Sequence, residues 1–156
     1  TLSPQGERGA ISEALARFTN PVPPRELTPD NIARIDRIFA HDSVAAIIAA
    51  LEADGSDWAR AQLATLASKS PQTLKVAFRQ LREGARIATF ADEMAQEYRI
   101  ACRVVRRHDF LEGVRALIVD KDNAPQWNPP TLAGVTEAML DEIFAPLPAG
   151  EEWTPL

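Results

Sequence analysis

The sequence predicts an all-α fold of seven or eight short helices, and three observations support this prediction. Apolar residues recur with a period near 3.6 residues along most of the chain, whereas the alternating apolar and polar runs of strands do not occur. Capping residues precede the apolar segments, and glycines or prolines separate them. Helix lengths and caps do not recur at a fixed period, so no internal repeat is predicted.

The length of 156 residues is typical of one domain, and we expect a single helical domain. A short helix over residues 7–18 and a proline-rich linker occupy 1–27. A helical body follows over 28–129, and a terminal helix and tail occupy 130–156. The apolar residues of the first helix are Ile11, Leu15 and Phe18.

The helical body opens with a strong helix start. In the segment TPD, residues 28–30, a hydroxyl caps the helix, a proline occupies the first turn and an acid lies near the positive end of the dipole. The next helix begins at Asp42 or Ser43 and ends at Gly55, which supplies a left-handed residue. The apolar residues of these helices are Ile32, Ile35, Ile38 and Phe39, then Val44, Ile47, Ile48 and Leu51.

Three further helices are expected in the middle of the chain. Ser56 starts the first of them. The pair SP at 70–71 starts the second, which reaches Gly84, and Thr89 starts a long third helix to about Arg107. Their apolar residues are Trp58, Leu63 and Leu66, and, on the long helix, Met94, Tyr98, Ala101, Cys102 and Val105.

The stretch HDFLEGVRALIVDKDNAPQW, residues 108–127, combines acids, a glycine, an arginine and a lysine around a short apolar run. Asp109 and Glu112 have the spacing of an acidic capping box. Gly113 costs about 1 kcal/mol relative to alanine inside a helix, which indicates a close approach by another element. Arg115 is expected to pair with Asp109 or Glu112. The apolar residues of this helix are Val114, Leu117 and Ile118.

The last predicted helix begins at Thr136, after a loop over 123–130. The tail PLPAGEEWTPL, residues 146–156, is expected to be extended or frayed. The apolar residues of the last helix are Met139, Leu140, Ile143 and Phe144.

Composition limits the classes of function. The net charge is −5, yet residues 69–107 hold nine Lys/Arg and four Asp/Glu, so this middle region carries a local charge of +5. An acidic chain with a basic middle is a poor nucleic-acid binder but offers a local site to an anionic ligand. The sequence has no run of 18 apolar residues, so no membrane span is predicted. No signal or transit segment is seen, and we expect a cytoplasmic location.

The sequence offers few groups for catalysis or metal binding. The two histidines, His41 and His108, and the one cysteine, Cys102, lack the spacing of zinc ligands, so no metal site is expected. Cys102 lies on an apolar helix face and is expected to be a small buried hydrophobic residue rather than a reactive thiol. His108 has Asp109 beside it, but adjacent residues rarely point the same way, and a loop or helix-end role is favoured over a general base.

The basic middle is the stronger indication of a site. Lys75, Arg79, Arg82 and Arg86 fall at i, i+4, i+7 and i+11, which places them on one helix face. The set Arg99, Arg103 and Arg106 repeats this spacing on the next helix. Two interpretations stand: solvated faces opposite the apolar ones, or an anion-binding surface that docks on an acidic partner.

Two segments resemble a known family. They are SPQTLKVAFRQLREG at 70–84 and EYRIACRVVRRHDFLEGVRALIVDKDNAPQWNP at 97–129. Both are similar to the C-terminal part of 3-hydroxyisobutyryl-CoA hydrolases, a branch of the enoyl-CoA hydratase/isomerase (crotonase) superfamily. The resemblance is dense over 68–129 and collinear but weaker over 1–67 and 130–147.

The resemblance implies that catalysis and covering of the active site belong to different parts of the protein. The family's catalytic groups lie on an N-terminal spiral core of β-β-α units, and this chain resembles the helical region that follows and covers that core. No catalytic residue carries over, because no position here matches those motifs. The resemblance also implies coenzyme A binding by Lys121 of the DKD motif. Tyr98 and Phe110 are weighed as aromatic contacts for adenine, with core packing favoured for both.

We therefore expect the C-terminal helical part of an acyl-CoA thioester hydrolase of valine breakdown, inactive alone. Its expected partners are its own N-terminal core and the acyl-CoA substrate, with a possible homo-oligomer. No cofactor is expected beyond the coenzyme A of the substrate. The alternatives are a stand-alone helical interaction or oligomerisation module, and the C-terminal part of an enoyl-CoA hydratase or isomerase.

Overall fold

The computed structural model describes residues 27–154, together with Glu13 and Leu15, so the predicted helix over 7–18 and most of the linker lie outside the described residues. Within 27–154 the fold is all-α, as predicted, with no strand. The α-helices in this range are α1 (Pro29–Ile38), α2 (Val44–Asp54), α3 (Asp57–Ala67), α4 (Pro71–Gly84), α5 (Phe90–Val104), α6 (His108–Val114) and α7 (Glu137–Phe144). A π-helical turn, Arg115–Val119, follows α6, and a 3₁₀ turn, Leu132–Gly134, precedes α7.

The chain divides into two compact units, Thr1–Arg37 and Ile38–Leu156. The second unit contains α2 to α7 and the candidate functional site described below. The predicted organisation into 1–27, 28–129 and 130–156 stays a prediction.

Hydroxyl side chains cap the helices at the predicted positions. Ser43, rather than Asp42, caps α2 by accepting the backbone N–H of Ala46 at 3.1 Å. Gly55 ends α2 at a φ of 60°, and its N–H donates to the carbonyl oxygen of Leu51 at 3.3 Å. Such bonds satisfy backbone groups that a helix end leaves unpaired. The residues Thr28, Ser56, Ser70, Thr89 and Thr136 cap α1, α3, α4, α5 and α7.

Two clusters of buried apolar residues hold the second unit together, and α4 contributes to both. Val76 lies in the first cluster, and Phe78, two residues on, packs against the second. Two residues advance an α-helix by roughly 200°, so these side chains point to opposite sides of α4. The first cluster comprises Val76, Ile100, Val135, Leu140 and Ile143, and the second comprises Ile38, Ile47, Leu51 and Ala59. Helix α4 is therefore central to the unit.

The apolar face predicted for α5 differs from the face that is buried. Ile100 is 6% exposed and lies in the first cluster, with Val104 packed against it. Tyr98 and Val105, which belong to the predicted face, are 40% and 42% exposed. The prediction is wrong for these two residues because α5 carries more than one apolar stripe, and the packing of α7 selects the stripe of Ile100. The helix also ends at Val104 rather than near Arg107.

The predicted capping box at the start of α6 is wrong. The helix begins at His108, and its N-cap residue is Arg107, whose side chain makes no capping hydrogen bond. Asp109 and Glu112 lie inside the helix, and both carboxylates bind groups of other segments. Those partners are distant in sequence, so the local pattern could not indicate them.

Three consecutive apolar residues after α6 are exposed rather than packed. They occupy the π-helical turn, which closes with a hydrogen bond from the N–H of Asp120 to the carbonyl oxygen of Arg115 at 2.8 Å. The buried residue of this turn is Ala116, which is 0% exposed. Leu117 and Ile118, which the sequence places among the apolar residues of this helix, therefore do not lie in the core. We call the exposed residues, which are Leu117 at 61%, Ile118 at 66% and Val119 at 68%, the apolar strip.

The tail is attached to α5 instead of being frayed, at least as far as residue 152. Arg103 donates to the carbonyl oxygens of Ala145 and Pro146, the latter at 2.8 Å. Arg99 binds the carboxylate of Glu152 at 2.8 and 2.9 Å. Two of the three arginines predicted to line one face of α5 therefore hold the segment that follows α7.

Candidate functional site

The return loop, residues 120–128, runs back along α6 and is joined to it by hydrogen bonds. The backbone N–H of Gln126 donates to Oε1 of Glu112 at 2.7 Å. The backbone N–H of Asn128 donates to Oδ1 of Asp109 at 2.8 Å. Two alternate positions of the loop thus pair with two carboxylates of one helix, and the path of the loop is set by α6.

Asp109 also links this assembly to α4. Its carboxylate is buried, with 5% of the residue exposed, and it accepts a hydrogen bond from the hydroxyl of Ser70, which is also 5% exposed. Ser70 in turn accepts the backbone N–H of Thr73 at 3.0 Å as the cap of α4. A buried carboxylate is retained at low cost only when its oxygens are hydrogen-bonded, and both oxygens of Asp109 are.

Arg115 is the centre of a second polar network. Its guanidinium binds Glu112 in a bidentate way, with Nε to Oε2 at 2.9 Å and Nη2 to Oε1 at 2.7 Å, so the pairing with Glu112 is confirmed. Its Nη1 atom donates to Oδ2 of Asp120 at 2.8 Å and to Oδ2 of Asp122 at 2.6 Å. We call these contacts of Arg115 with Glu112, Asp120 and Asp122 the arginine clamp.

The clamp shifts the titration of its members. The pKa of Glu112 is lowered to about 2, first by the hydrogen bond from Arg115 and then by that from the N–H of Gln126. The pKa of Asp122 is lowered by Arg115 and by the N–H of Ala124. The pKa of Arg115 is raised, chiefly by its hydrogen bond with Glu112. All three groups are therefore charged over the ordinary pH range.

Lys121 lies between the two clamped aspartates. It has a φ of 57°, in the left-handed region that non-glycine residues rarely adopt, and Asn123 has a φ of 53°. The ammonium of Lys121 makes no hydrogen bond or ion pair with any residue of the described range. The structure therefore presents this lysine to solvent from a loop that is held on both sides. Its assignment as a coenzyme A contact stays a prediction.

Gly113 faces the indole ring of Trp127 from the return loop. A Cβ atom added at Gly113 would lie 3.5 and 3.7 Å from two ring carbons, which is ordinary van der Waals contact. The other element that we expected near this glycine is therefore an aromatic side chain, and its approach is not close enough to require glycine.

The four basic residues of α4 lie on one face, as their spacing predicts. They line a cavity of about 360 Å³ that also meets α2 and α7. Three of the four side chains are already engaged. Lys75 donates to the carbonyl oxygen of Val135 at 2.7 Å, and Arg82 donates to that of His41 at 2.7 Å. Arg79 binds Glu83 and Asp141, each at 2.7 Å.

Arg86 completes that face and makes no hydrogen bond or ion pair within residues 27–154. The engaged residues fasten α4 to the segments before α2 and around α7. The arrangement is explained by internal packing, and anion binding by Lys75, Arg79, Arg82 and Arg86 stays a prediction.

Tyr98 and Phe110, the two aromatic candidates, are both partly exposed, at 40% and 43%. Neither residue is therefore fully packed into the core as had been expected, although more than half of each is covered. Phe110 lines an open, mainly apolar groove of about 380 Å³ between α4, α5 and α6. Tyr98 does not line this groove, and its pKa is raised chiefly by a hydrogen bond with Cys102. The two rings and Lys121 do not share one described cavity.

The residues considered for catalysis are not brought together. Nε2 of His108 lies 2.8 Å from the carbonyl oxygen of Gln126, while the carboxylate of Asp109 faces Ser70 and Asn128. Cys102 is a half-buried free thiol. Among the described residues no group of three or more His, Cys, Asp or Glu side chains is placed to hold a metal ion. No helix in that range is long and apolar enough to cross a membrane.

Asp109 and Arg115 were named from the sequence, but most of their partners were missed. Asp109 was expected to cap its own helix, and Arg115 was expected to bind one carboxylate rather than three. The offsets from Arg115 to the two aspartates are five and seven residues, across a turn, and match no helical pairing rule. The sequence feature that could have indicated this network is the number of acidic residues close to Arg115.

The fold and the candidate site together define an all-α unit whose return loop is held along α6 by Asp109 and Glu112. The chain belongs to the enoyl-CoA hydratase/isomerase family, whose model matches residues 2–144. Among curated proteins it is similar to 3-hydroxyisobutyryl-CoA hydrolases. The mitochondrial enzyme of Danio rerio is 47% identical over 113 residues, which are 72% of this chain and 29% of that protein. The Dictyostelium discoideum enzyme is 40% identical over 79% of this chain and 32% of its own length.

Solved structures of the same superfamily resemble this fold. A carnitinyl-CoA dehydratase from Mycobacterium thermoresistibile has a TM-score of 0.74 and 35% identity over 92% of this chain and 42% of its own. An enoyl-CoA hydratase from Rhodobacter sphaeroides has a TM-score of 0.75 and 30% identity over 97% of this chain and 46% of its own. The chain thus spans about a third of the curated relatives and less than half of each of these structures.

Proposed function

We propose that this chain is the C-terminal helical part of an acyl-CoA thioester hydrolase resembling 3-hydroxyisobutyryl-CoA hydrolase. In this role it covers a crotonase-type core and helps to bind coenzyme A. The observation that carries the proposal is the apolar strip, which is 61–68% exposed in a chain that spans 29% of the length of a similar hydrolase. Exposed apolar residues that adjoin one another are typical of surfaces that another protein element covers.

The proposed reaction is hydrolysis of 3-hydroxyisobutyryl-CoA to 3-hydroxyisobutyrate and free coenzyme A, a step of valine breakdown. A hydrolase must stabilise an oxyanion and position a water molecule. We assign both tasks to the core, because His108 and Asp109 are each bonded to other groups and do not form a catalytic pair. The chain alone is therefore proposed to be inactive.

We assign the nucleotide end of coenzyme A to the return loop. Lys121 is the proposed phosphate contact, because its ammonium is exposed and unpaired within the described range while both neighbouring aspartates are bound elsewhere. Phe110, exposed on the neighbouring helix, is the better placed of the two aromatic candidates, since it belongs to α6, which also holds the return loop. Coenzyme A enters as part of the substrate, and no further cofactor is proposed.

The decisive experiment compares the isolated chain with the whole gene product that carries it. Each is given 3-hydroxyisobutyryl-CoA, and release of the free thiol is measured. We expect turnover by the whole product and none by the isolated chain. Turnover by the isolated chain at an ordinary enzyme rate would overturn the proposal, as would a failure of the whole product to bind coenzyme A.

The covering role is tested by a charge in the apolar strip. Ile118→Lys should leave the isolated chain folded, because this side chain is 66% exposed, but should weaken its association with the core. Glu52→Lys, an exposed site on α2, is the matched control and should leave association unchanged. Equal association of both variants, measured by titration of the separate core with the chain, would contradict the assignment of the strip.

A stand-alone helical interaction module is the second candidate, and the apolar strip favours it too. It requires that the isolated chain self-associates or binds a separate partner chain without any thioester activity in the gene product. Sedimentation velocity at micromolar concentration distinguishes a dimer of the chain from a monomer.

A homo-oligomer of the whole hydrolase is proposed as well, and sedimentation velocity of the whole gene product tests it.

A hydratase or isomerase is the third candidate, favoured by the similarity to the two solved structures named above. This activity adds water to an enoyl-CoA, and it is distinguished from hydrolysis by measuring the loss of absorbance of the conjugated thioester.

We propose a cytoplasmic location, although the Danio rerio relative is named as mitochondrial. Localisation of the tagged gene product decides between the two compartments.

A further inference from the structure

Lys121 sits in an environment that would normally oppose anion binding. Around it, three carboxylates and one cation, the guanidinium of Arg115, form one network, so the network carries a net negative charge. Two of the carboxylates, those of Asp120 and Asp122, flank the lysine directly. In a free loop they would attract the ammonium and repel a phosphate group.

The arginine clamp removes this opposition. Nη1 of Arg115 holds one oxygen of Asp120 and one of Asp122 at 2.8 and 2.6 Å, and Lys121 is left without an ion pair among the described residues. The same guanidinium is fixed by Glu112 through two hydrogen bonds, and only 12% of the Glu112 side chain is exposed. The guanidinium uses two of its nitrogens for Glu112 and the third for the two aspartates, an arrangement that the single nitrogen of a lysine cannot reproduce.

The backbone is held by the same residues. The N–H of Asp120 donates to the carbonyl oxygen of Arg115 at 2.8 Å, and that of Asn123 donates to Ala116 at 3.1 Å. These bonds bracket Lys121, whose left-handed conformation persists only when its surroundings determine it. The turn that carries the lysine is thus fastened on both sides to the segment that contains Arg115.

We propose that Arg115 is a positioning residue for Lys121: it draws Asp120 and Asp122 away from the ammonium and so makes the turn a site for a phosphate group. The proposal rests on the proposed function, in which that phosphate belongs to coenzyme A. Arg115 itself does not touch the ligand.

The test measures the dissociation constant of coenzyme A for the whole gene product by titration calorimetry. Lys121→Ala should weaken binding about fivefold, as expected for loss of one partly exposed charge contact. Arg115→Gln should weaken it by a similar factor, and the double variant should be no weaker than Lys121→Ala alone, because Arg115 acts through Lys121. Arg106→Gln, which removes an exposed arginine with no hydrogen bond or ion pair in the described range, is the control.

A second set of variants, made in a protein that lacks both aspartates, distinguishes the positioning role of Arg115 from a merely structural one. In the variant Asp120→Asn with Asp122→Asn, no carboxylate competes for the lysine, so adding Arg115→Gln should change the affinity less than twofold. If Arg115→Gln weakens binding equally there, or adds to the effect of Lys121→Ala, the positioning role is overturned. Should Arg115→Gln not fold, Arg115→Lys gives the same comparison, and full affinity in that variant would also overturn the role of the fork.

The outcomes separate the inference from the proposed function. If Lys121→Ala leaves the affinity unchanged, the coenzyme A contact itself is wrong. If Lys121→Ala weakens binding and Arg115→Gln does not, the contact stands and the role of Arg115 fails.

Discussion

The backbone N–H of Asn128 donates to Oδ1 of Asp109 at 2.8 Å, which joins the end of the return loop to the first turn of α6. The other oxygen of the same buried carboxylate binds the hydroxyl of Ser70 at the start of α4. One side chain therefore connects three segments that are separated by up to 58 positions in the sequence, from Ser70 to Asn128.

Asp109→Ala is expected to destabilise the chain by about 2 to 4 kcal/mol, because it leaves a buried hydroxyl and a loop N–H without acceptors. Asp109→Asn retains one acceptor oxygen and should cost less. The free energy of unfolding is measured by urea denaturation. Glu52→Ala, at an exposed position of α2, is the control and should stay within about 0.5 kcal/mol of the native chain. Equal stability of the Asp109 and Glu52 variants would contradict the proposed linkage of segments.

Glu112 is expected to make stability depend on acid pH. Its pKa falls from 4.5 to about 2 on folding, so the folded state binds this proton less tightly than the unfolded state. The stabilisation is present above the unfolded pKa of 4.5 and is lost as the pH falls toward about 2. Thermal denaturation between these pH values should show a steeper loss for the native chain than for Glu112→Gln. Parallel curves for the two proteins would show that Glu112 is not the titrating group.

Arg103→Gln is expected to release the tail while leaving the helices folded. The guanidinium donates to backbone oxygens at 145 and 146, and its loss should cost about 1 to 2 kcal/mol in the local stability of that segment. Amide hydrogen exchange of residues 145–152 should accelerate. Arg106→Gln, one turn further along, provides the control. If both variants exchange at the native rate, the tail is held by other contacts.

Gly113→Ala is expected to be tolerated and to stabilise the chain by up to about 1 kcal/mol, since it raises helix propensity and the new methyl group meets Trp127 at 3.5 Å. Gly134→Ala is the contrasting variant, because its Cβ would lie 2.7 Å from Cβ of Pro129. Melting temperatures should rise for the first and fall for the second. A fall for both would mean that Gly113 does need its close contact with the ring.

Much of the fold was predictable because its signals are local. The caps at Ser43, Ser56 and Ser70 each bind an N–H three residues away, and Gly55 ends its helix with its own backbone. Such interactions are complete within a few residues, so a single sequence contains all the information about them. The same holds for the alignment of the four basic residues of α4 on one face.

The candidate site was less predictable because its contacts are not local. The exposure of Tyr98 depends on which stripe of α5 meets α7, and the exposure of the apolar strip depends on the π-helical turn. The carboxylate of Asp109 binds Ser70, 39 positions away in the sequence, instead of capping the start of its own helix. The periodicity of the sequence does not predict which of these contacts form.

The sequence by itself determined the all-α class, the helix starts and the family, since caps, periodicity and motifs are properties of short segments. Only the tertiary structure decided that Arg115 binds three carboxylates, that Asp109 is buried between α4 and the return loop, and that Leu117 and Ile118 face outward. The physical reason is the same in each case. A charged or apolar side chain has several partners of similar energy nearby in sequence, and the packing of whole helices determines which of them it meets.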